Sequence, residues 1–358
     1  MRVASRGGSA SSVVERTLAT TRPAYSRRRT PDADRECQCL HRAPVARIVS
    51  STIAVIINPI AGTGGRPGAS RERVERAASL LSARGHDGPT ARILVTERAG
   101  HARELAAALL AHGVTTVVAW GGDGTVNEVA SAIAFRDATL AVVPSGSGNG
   151  LARELQIPMS PERAFNVAVD GRTCRIDAGE LDGRLFFNVA GIGFDAHVAQ
   201  EFAAGGRERR GLRRYVAVTV RELLTYQADD HVVVTDGATR TLRPLLIAIA
   251  NGRQYGNGAM IAPSARLDDG KLDVVTVAAR SPLGVMMAIP RLFTGRITHV
   301  SGVESVPAVD IRVTSTHAVL YHVDGEPYRG DLSIAARALP RALRVAVPVD
   351  ARPDLPSE

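Results

Sequence analysis

The chain has 358 residues, 45% of them hydrophobic, and a net charge of +8, which is about two domains' worth of sequence and too long for a small stapled module. Its three cysteines make no disulfide framework, and no run of about 18 apolar residues offers a spanning helix or a secretory signal. Only one of its 44 basic residues is a lysine, Lys271, and that residue sits in DDGKLDV, so neither a Walker P-loop nor a protein-kinase strand lysine is available.

Residues 1–50 hold 10 Arg against 4 acids and show no apolar period, which predicts a disordered basic arm: a transit peptide, an over-long reading frame or a simple tail. Cys37, Cys39 and His41 within it are soft donors without a fourth ligand nearby, and are taken as incidental. The remainder carries 34 basic against 32 acidic residues, so the net charge gives no support to a nucleic-acid footprint.

From residue 52 the pattern alternates. The apolar run 52–59 predicts a strand, AGTGG at 61–65 a turn, and 70–85 a helix with Val74, Ala77, Ala78 and Leu81 on one face. A strand at 91–96, a helix at 100–113, a strand at 114–120, a helix at 122–134 and a strand at 139–144 follow. Such alternation predicts a doubly wound α/β domain over 51–172, whose ligands sit beyond the carboxyl ends of its parallel strands. After residue 172 short strands with turn signals replace it, at 174–181, 184–192, 230–236, 242–251, 272–278, 308–315, 318–326 and 342–349. They predict an antiparallel β-sandwich over 173–348, interrupted by helices near 211–227 and 282–293, with a tail at 349–358. The working site is expected in the cleft between the two halves.

Three glycine-rich turns close three of the first-half strands: Asn58-Pro59 with AGTGG, Gly121-Gly122-Asp123-Gly124-Thr125, and Ser145-Gly146-Ser147-Gly148-Asn149 after Pro144. Glycine lets backbone approach phosphate, and amides at a following helix N-terminus direct positive charge at it, so the set can bind polyphosphate without lysine. Any one of these turns alone is explained by loop geometry; three at one sheet edge, one enclosing a carboxylate, point to a nucleotide. Asp324-Gly325-Glu326 follows an apolar strand and is either a hairpin turn or a carboxylate delivered into the cleft.

NPIAGTGG, GGDGTVNEV, PSGSGNGLAREL, NVAGIGFDA, NGRQYGNG with IAPSARLDDGKLDV, and HVDGEP occur in an order that resembles the diacylglycerol kinase catalytic-domain family, over roughly residues 52–348. GGDGT alone is shared with NAD kinases and, more loosely, phosphofructokinases. The tract PSGSGNG departs from the family's commoner form in having Ser147 where a Thr, and Gly150 where an Asp, is usual.

The resemblance implies ATP-dependent phosphorylation of a lipid hydroxyl, diacylglycerol or a related lipid alcohol, with ATP and Mg²⁺. It implies that Asn58, Pro59, Gly62 and Gly64 hold phosphate oxygens. Gly121, Gly122, Asp123, Gly124 and Thr125 then embrace the nucleotide together with Ser145, Gly146, Ser147 and Asn149, and Asp123 supports Mg²⁺ directly or through water. Thr96 and Asn127 are candidates to touch ribose or base, with a strand cap and a first-turn polar residue as their alternatives. Glu326 is the first candidate for general base, then Asp324, then Asp123. The tract Asp268–Asp273 is either a solvated acidic turn or, as the resemblance implies, a structural Mg²⁺ site of Asp269 and the Leu272 carbonyl.

The stretch 205–215 has five Arg against one Glu and suits an anionic membrane surface or a solvated helix entry. In 282–295, Val285, Met286, Ile289, Leu292 and Phe293 line an acyl-chain entrance or pack as core. The expected setting is cytoplasmic and peripheral at a membrane, with a homodimer as the candidate assembly. An NAD-kinase-like metabolite kinase and a catalytically silent binding module are the alternative functions.

Overall fold

In a computed structural model the described residues are 52–62, 68–86, 91–204 and 212–351, the side chains of 212–215 excepted. The basic arm with its cysteines and His41, Gly64 of the first turn and the arginine side chains of 205–215 lie outside them. Strand β1 (Ile53–Ile57) is buried on both faces, as its unbroken β-branched run requires in a covered parallel sheet. Helix α1 (Ala69–Ser82), β2 (Ala91–Val95), α2 (His101–Ala111), β3 (Thr116–Gly121), α3 (Asp123–Ile133) and β4 (Thr139–Pro144) follow in the expected alternation. The parallel strands lie in the order β2-β1-β3-β4, so the order reverses between β1 and β3, and that is where an open α/β sheet takes its ligands.

Short helix α4 (Gly150–Glu154) and α5 (Pro161–Asp170) lead into β5 (Arg172–Leu181), β6 (Arg184–Phe186) and β7 (Val189–Gly193). Then come α6 (Phe194–Ala204), α7 (Leu212–Leu223), β8 (His231–Thr235), β9 (Ala238–Leu242), β10 (Pro244–Ala250), β11 (Leu272–Ala278) and α8 (Pro282–Phe293). The chain closes with β12 (Val303–Ala308), β13 (Asp310–Ser315), β14 (Leu320–Val323), β15 (Glu326–Arg329) and β16 (Ser333–Val347). A six-stranded antiparallel sheet, β12-β11-β10-β7-β14-β15, packs on the far half of a ten-stranded sheet through Phe186, Ile192, Ile247, Ile249 and Tyr321. The second half is therefore the antiparallel β-sandwich that the short strands predict.

Strand β16 joins the halves. Its end runs parallel to β4, at Arg344 opposite Thr139, while its length pairs antiparallel with β5 and β13. The parallel sheet thus continues into the sandwich without a break. A bulge between Leu339 and Leu343 redirects β16, and Asp177 of β5 holds it by accepting the Arg341 amide at 2.7 Å. Among the described residues no helix is long and apolar enough to cross a membrane.

Candidate functional site

The three glycine turns touch one another at the carboxyl edge of the sheet. A Cβ on Gly62 would run into the Ser145 carbonyl, and one on Gly146 would come within 2.7 Å of the Gly122 Cα, so backbone packs on backbone with no room for side chains. Asp123 welds the second turn to the third, its two oxygens accepting the amides of Gly150 at 2.7 Å and Asn149 at 2.9 Å. Burial pushes its pKa up, against the pull of those amides. Asn149 closes the third turn on itself, its side chain accepting from the Gly146 amide and donating to the Gly146 carbonyl. The Ser145 hydroxyl is buried with no hydrogen-bond partner, as an oxygen awaiting a ligand or water would be.

Asn58 donates to the Thr125 hydroxyl at 2.8 Å and accepts the Ile60 amide, tying the first turn to the start of α3. Arg73 of α1, which sequence reasoning missed, reaches back and donates to the carbonyls of Asn58 and Ala61 at 2.6 and 2.8 Å. Desolvation lowers its pKa, and a guanidinium remains cationic there, so the turn region carries a fixed positive charge in the absence of a lysine. Thr96 is buried at the end of β2, where its amide bonds the Ile57 carbonyl.

Asp324 and Gly325 both have positive φ, 46° and 89°, and pair Val323 with Glu326 across a two-residue hairpin. The hairpin reading and the carboxylate-in-the-cleft reading are both realised, by different residues. Asp324 turns inward and accepts from Asn127 at 2.8 Å and from the amides of Phe187, Asn188 and Val189 at 3.0 to 3.1 Å. Its pKa is raised by burial, against those four donors. Glu326 is exposed, and its Oε1 lies 3.0 Å from where a Cβ on Gly124 would stand, against the first turn of α3.

Of its two readings, a nucleotide contact and a structural polar residue, Asn127 has bonds that fit the second. Its amide donates to the Leu185 carbonyl and to Asp324 and its oxygen accepts from Ser131, so it stitches the two halves together. Asp324 likewise has its oxygens filled by structural donors, which removes it from reach of a substrate hydroxyl.

Behind the hairpin lies a second missed group. His322 accepts the Gly325 amide on Nδ1 at 3.3 Å, which leaves the proton on Nε2 to face Asp195, also at 3.3 Å. Asp195 is further held by the Tyr255 hydroxyl at 2.9 Å and the Ala196 amide at 2.8 Å. The motif GIGFDA contained Asp195, but nothing in sequence joined it to a histidine 127 residues away.

The loop containing NGRQYGNG covers the third turn. Asn257 donates to the Ser147 carbonyl at 2.8 Å, and Arg153 donates to the Gly148 carbonyl at 3.0 Å and to Asn257. Arg253 pairs with the buried Glu154 at 2.7 Å. Gly150 sits beneath this loop, where a Cβ would strike the Asn188 amide and come within 2.8 Å of the Tyr255 carbonyl. The glycine at this position is thus matched to its neighbours, and an Asp would not fit here.

The acidic tract does not gather a metal cage: among the described residues no three His, Cys, Asp or Glu side chains group as a metal centre. Asp269 accepts the Lys271 amide, Asp268 pairs with Arg266, Asp273 accepts from Ser264 and Ser305, and Leu272 is a buried strand residue. Along α8, Val285 and Leu292 pack inward against apolar clusters, whereas Met286 and Phe293 are exposed, so the expected acyl-lining set divides between core and surface.

Residues 52–181 match the model of the diacylglycerol kinase catalytic domain, and residues 188–347 match that of the YegS C-terminal NAD kinase beta sandwich-like domain. A protein of Mycobacterium tuberculosis named diacylglycerol kinase is 30% identical over 303 residues, 83% of this chain and 95% of its own length. A Pseudomonas fluorescens protein named probable lipid kinase YegS-like is 31% identical over 290 residues, covering 79% of this chain and 93% of its own. A crystal structure of a diacylglycerol kinase from Bacillus anthracis superposes with a TM-score of 0.63 at 19% identity, over 86% of this chain and 98% of that one, and shares the fold.

Proposed function

We propose that this chain, which belongs to the diacylglycerol kinase catalytic-domain family of lipid kinases, transfers the γ-phosphoryl group of ATP to the hydroxyl of a lipid alcohol, with diacylglycerol first among acceptors. The observation that carries this reading is the meeting of three glycine turns at the sheet edge with Glu326 against the start of α3. Phosphoryl transfer asks mainly for positioning and charge neutralisation. The turn amides and the Arg73 guanidinium supply positive charge without lysine, and Asn257 and Arg153 close the second half over the third turn and limit water.

The donor set at Asp123 suits magnesium: the Asn149 and Gly150 amides fix the carboxylate, a hard oxygen donor of the kind that holds a metal directly or through its water. Bound there with the nucleotide, the ion would neutralise phosphate charge. Glu326 then takes the proton of the acceptor hydroxyl at Oε, while Asp324 and His322 fix the hairpin that aims it. The acceptor comes from a membrane, and the protein works at that surface.

Labelled phosphate transfer from ATP to a panel of dispersed lipid alcohols, with NAD alongside, tests the reading. Labelled lipid phosphate is the expected product; labelling of NAD alone, or nucleotide binding without transfer to any lipid, overturns it in favour of the metabolite kinase or the silent module.

A further inference from the structure

Helix α8 is apolar all the way round. Its sequence, PLGVMMAIPRLF, contains one charge, and a helix of that kind is normally buried in a core or a membrane. Here no residue of α8 is buried. Val285, Ala288 and Leu292 pack inward, while Leu283, Met286, Met287 and Phe293 on the other side are exposed, Leu283 and Met287 by two thirds. Pro290 lies on the same outer face.

Helix α7 repeats the arrangement. Val218 and Leu223 face a buried cluster with Phe194, Val198 and Leu245, and Val285 of α8 packs against that same cluster. Val216, Val220 and Leu224, four residues apart in turn, form the outward stripe and are exposed. Both helices thus pack on one cluster with their inner sides and leave apolar outer faces uncovered, a feature that marks an interaction surface.

Charge identifies the occupant. No acid occurs between Asp273 and Glu304, whereas Arg280, Arg291 and Arg296 do, and the one acid of α7 described here, Glu222, is paired with His197 and Arg221. A second copy seated face to face would bring two sets of these arginines together with no acid to answer them. An anionic bilayer answers them and also accepts the apolar side chains.

We propose that the outer faces of α7 and α8 are the docking surface for an anionic lipid bilayer, with Leu283, Met286 and Met287 entering the headgroup and acyl boundary. The proposal rests on the reading of a membrane-borne acceptor. Docking by this face keeps the protein at the leaflet that supplies its substrate, and burial of methionine and leucine side chains supplies the apolar part of the affinity.

The test is co-sedimentation of the whole chain with vesicles of phosphatidylcholine, with and without phosphatidylglycerol, comparing the wild type with Leu283→Ser/Met287→Ser. Both positions are exposed, so the variant keeps its fold, and its turnover of a short-chain, detergent-dispersed diacylglycerol stays equal to wild type. Expected are binding that needs phosphatidylglycerol, weakens with salt, and falls about tenfold or more in the variant. Equal vesicle binding by the two proteins overturns the docking surface. So does a wild-type dimer that the variant converts to a monomer while vesicle binding is unchanged, which reassigns the face to self-association. Loss of turnover on the dispersed acceptor by both proteins instead sinks the kinase reading and leaves the vesicle result to decide the surface alone.

Discussion

Asp324 and Glu326 lie two residues apart and differ in what their oxygens touch. Four donors surround the Asp324 carboxylate, none of which an Asn amide nitrogen could face without opposing donor to donor. Asp324→Asn is therefore expected to lower stability by roughly 2 to 3 kcal/mol, read as a shift in the denaturant midpoint with the slope unchanged. Glu326→Gln should leave that midpoint in place, because the side chain is exposed, and lower kcat about a hundredfold with little change in ATP affinity. A Glu326→Gln variant with normal turnover would move the base role to Asp123. The presence of a carboxylate turn was legible in the sequence, since Asp-Gly is a hairpin signal and the strand before it is apolar. The division of labour within it was not, because Asp324 finds its donors on α3, in the link between β6 and β7 and at the start of β7, 135 to 197 residues away.

Helix α3 shows how an element can serve the site and the scaffold together. Its first turn faces the glycine cradle, while Glu128 one turn on accepts the Gly100 and Ala102 amides at 2.8 and 3.0 Å and so caps α2, whose own N-cap is a glycine without a side-chain oxygen. Glu128→Ala should destabilise the protein by about 1 to 2 kcal/mol, measured by thermal unfolding, with the loss first visible as faster amide exchange in α2. The order of the first seven elements was readable because each buries an apolar run of the right period against the same sheet. Strand β9 and strand β12 were not: the ATRTL of β9 is exposed at a sheet edge, and β12 contains Pro307, tolerated because it too is an edge strand. The apolar run near the end of the chain gave only the second half of β16. Its first half alternates buried and exposed residues but is separated from the rest by Pro340 and a bulge, and the Asp177 that fixes the bulge lies 164 residues earlier. Register and bulges are set by such distant partners, and hydrophobic pattern alone does not contain them.

At the scale of the whole molecule, four carboxyls, Asp123, Asp177, Asp273 and Asp324, are held above their ordinary pKa with burial as the first cause. A carboxyl whose folded pKa is raised opposes folding when ionised, so its penalty is absent below the unfolded value and grows as pH rises through the folded one. Asp273 is the cleanest to isolate: it accepts from the hydroxyls of Ser264 and Ser305, both at 3.2 Å to one oxygen that an Asn retains, and the charge of Asp269 adds to the upward shift. Asp273→Asn should therefore raise Tm near neutral pH in the presence of a chelator. The gain should shrink as pH falls and vanish below about 3.9, where the aspartate is neutral in both states. A lower Tm for the variant at neutral pH would show that the carboxylate is favourable where it stands. The same pair of proteins weighs the magnesium expected at Asp269 and the Leu272 carbonyl. A cation held there would cancel the repulsion between Asp269 and Asp273 and pull the Asp273 pKa down, so adding magnesium should erase the variant's advantage. An advantage that persists in magnesium means that the tract is a capped acidic turn, stabilised by the Lys271 amide on Asp269 and the pairing of Arg266 with Asp268, and holds no structural metal.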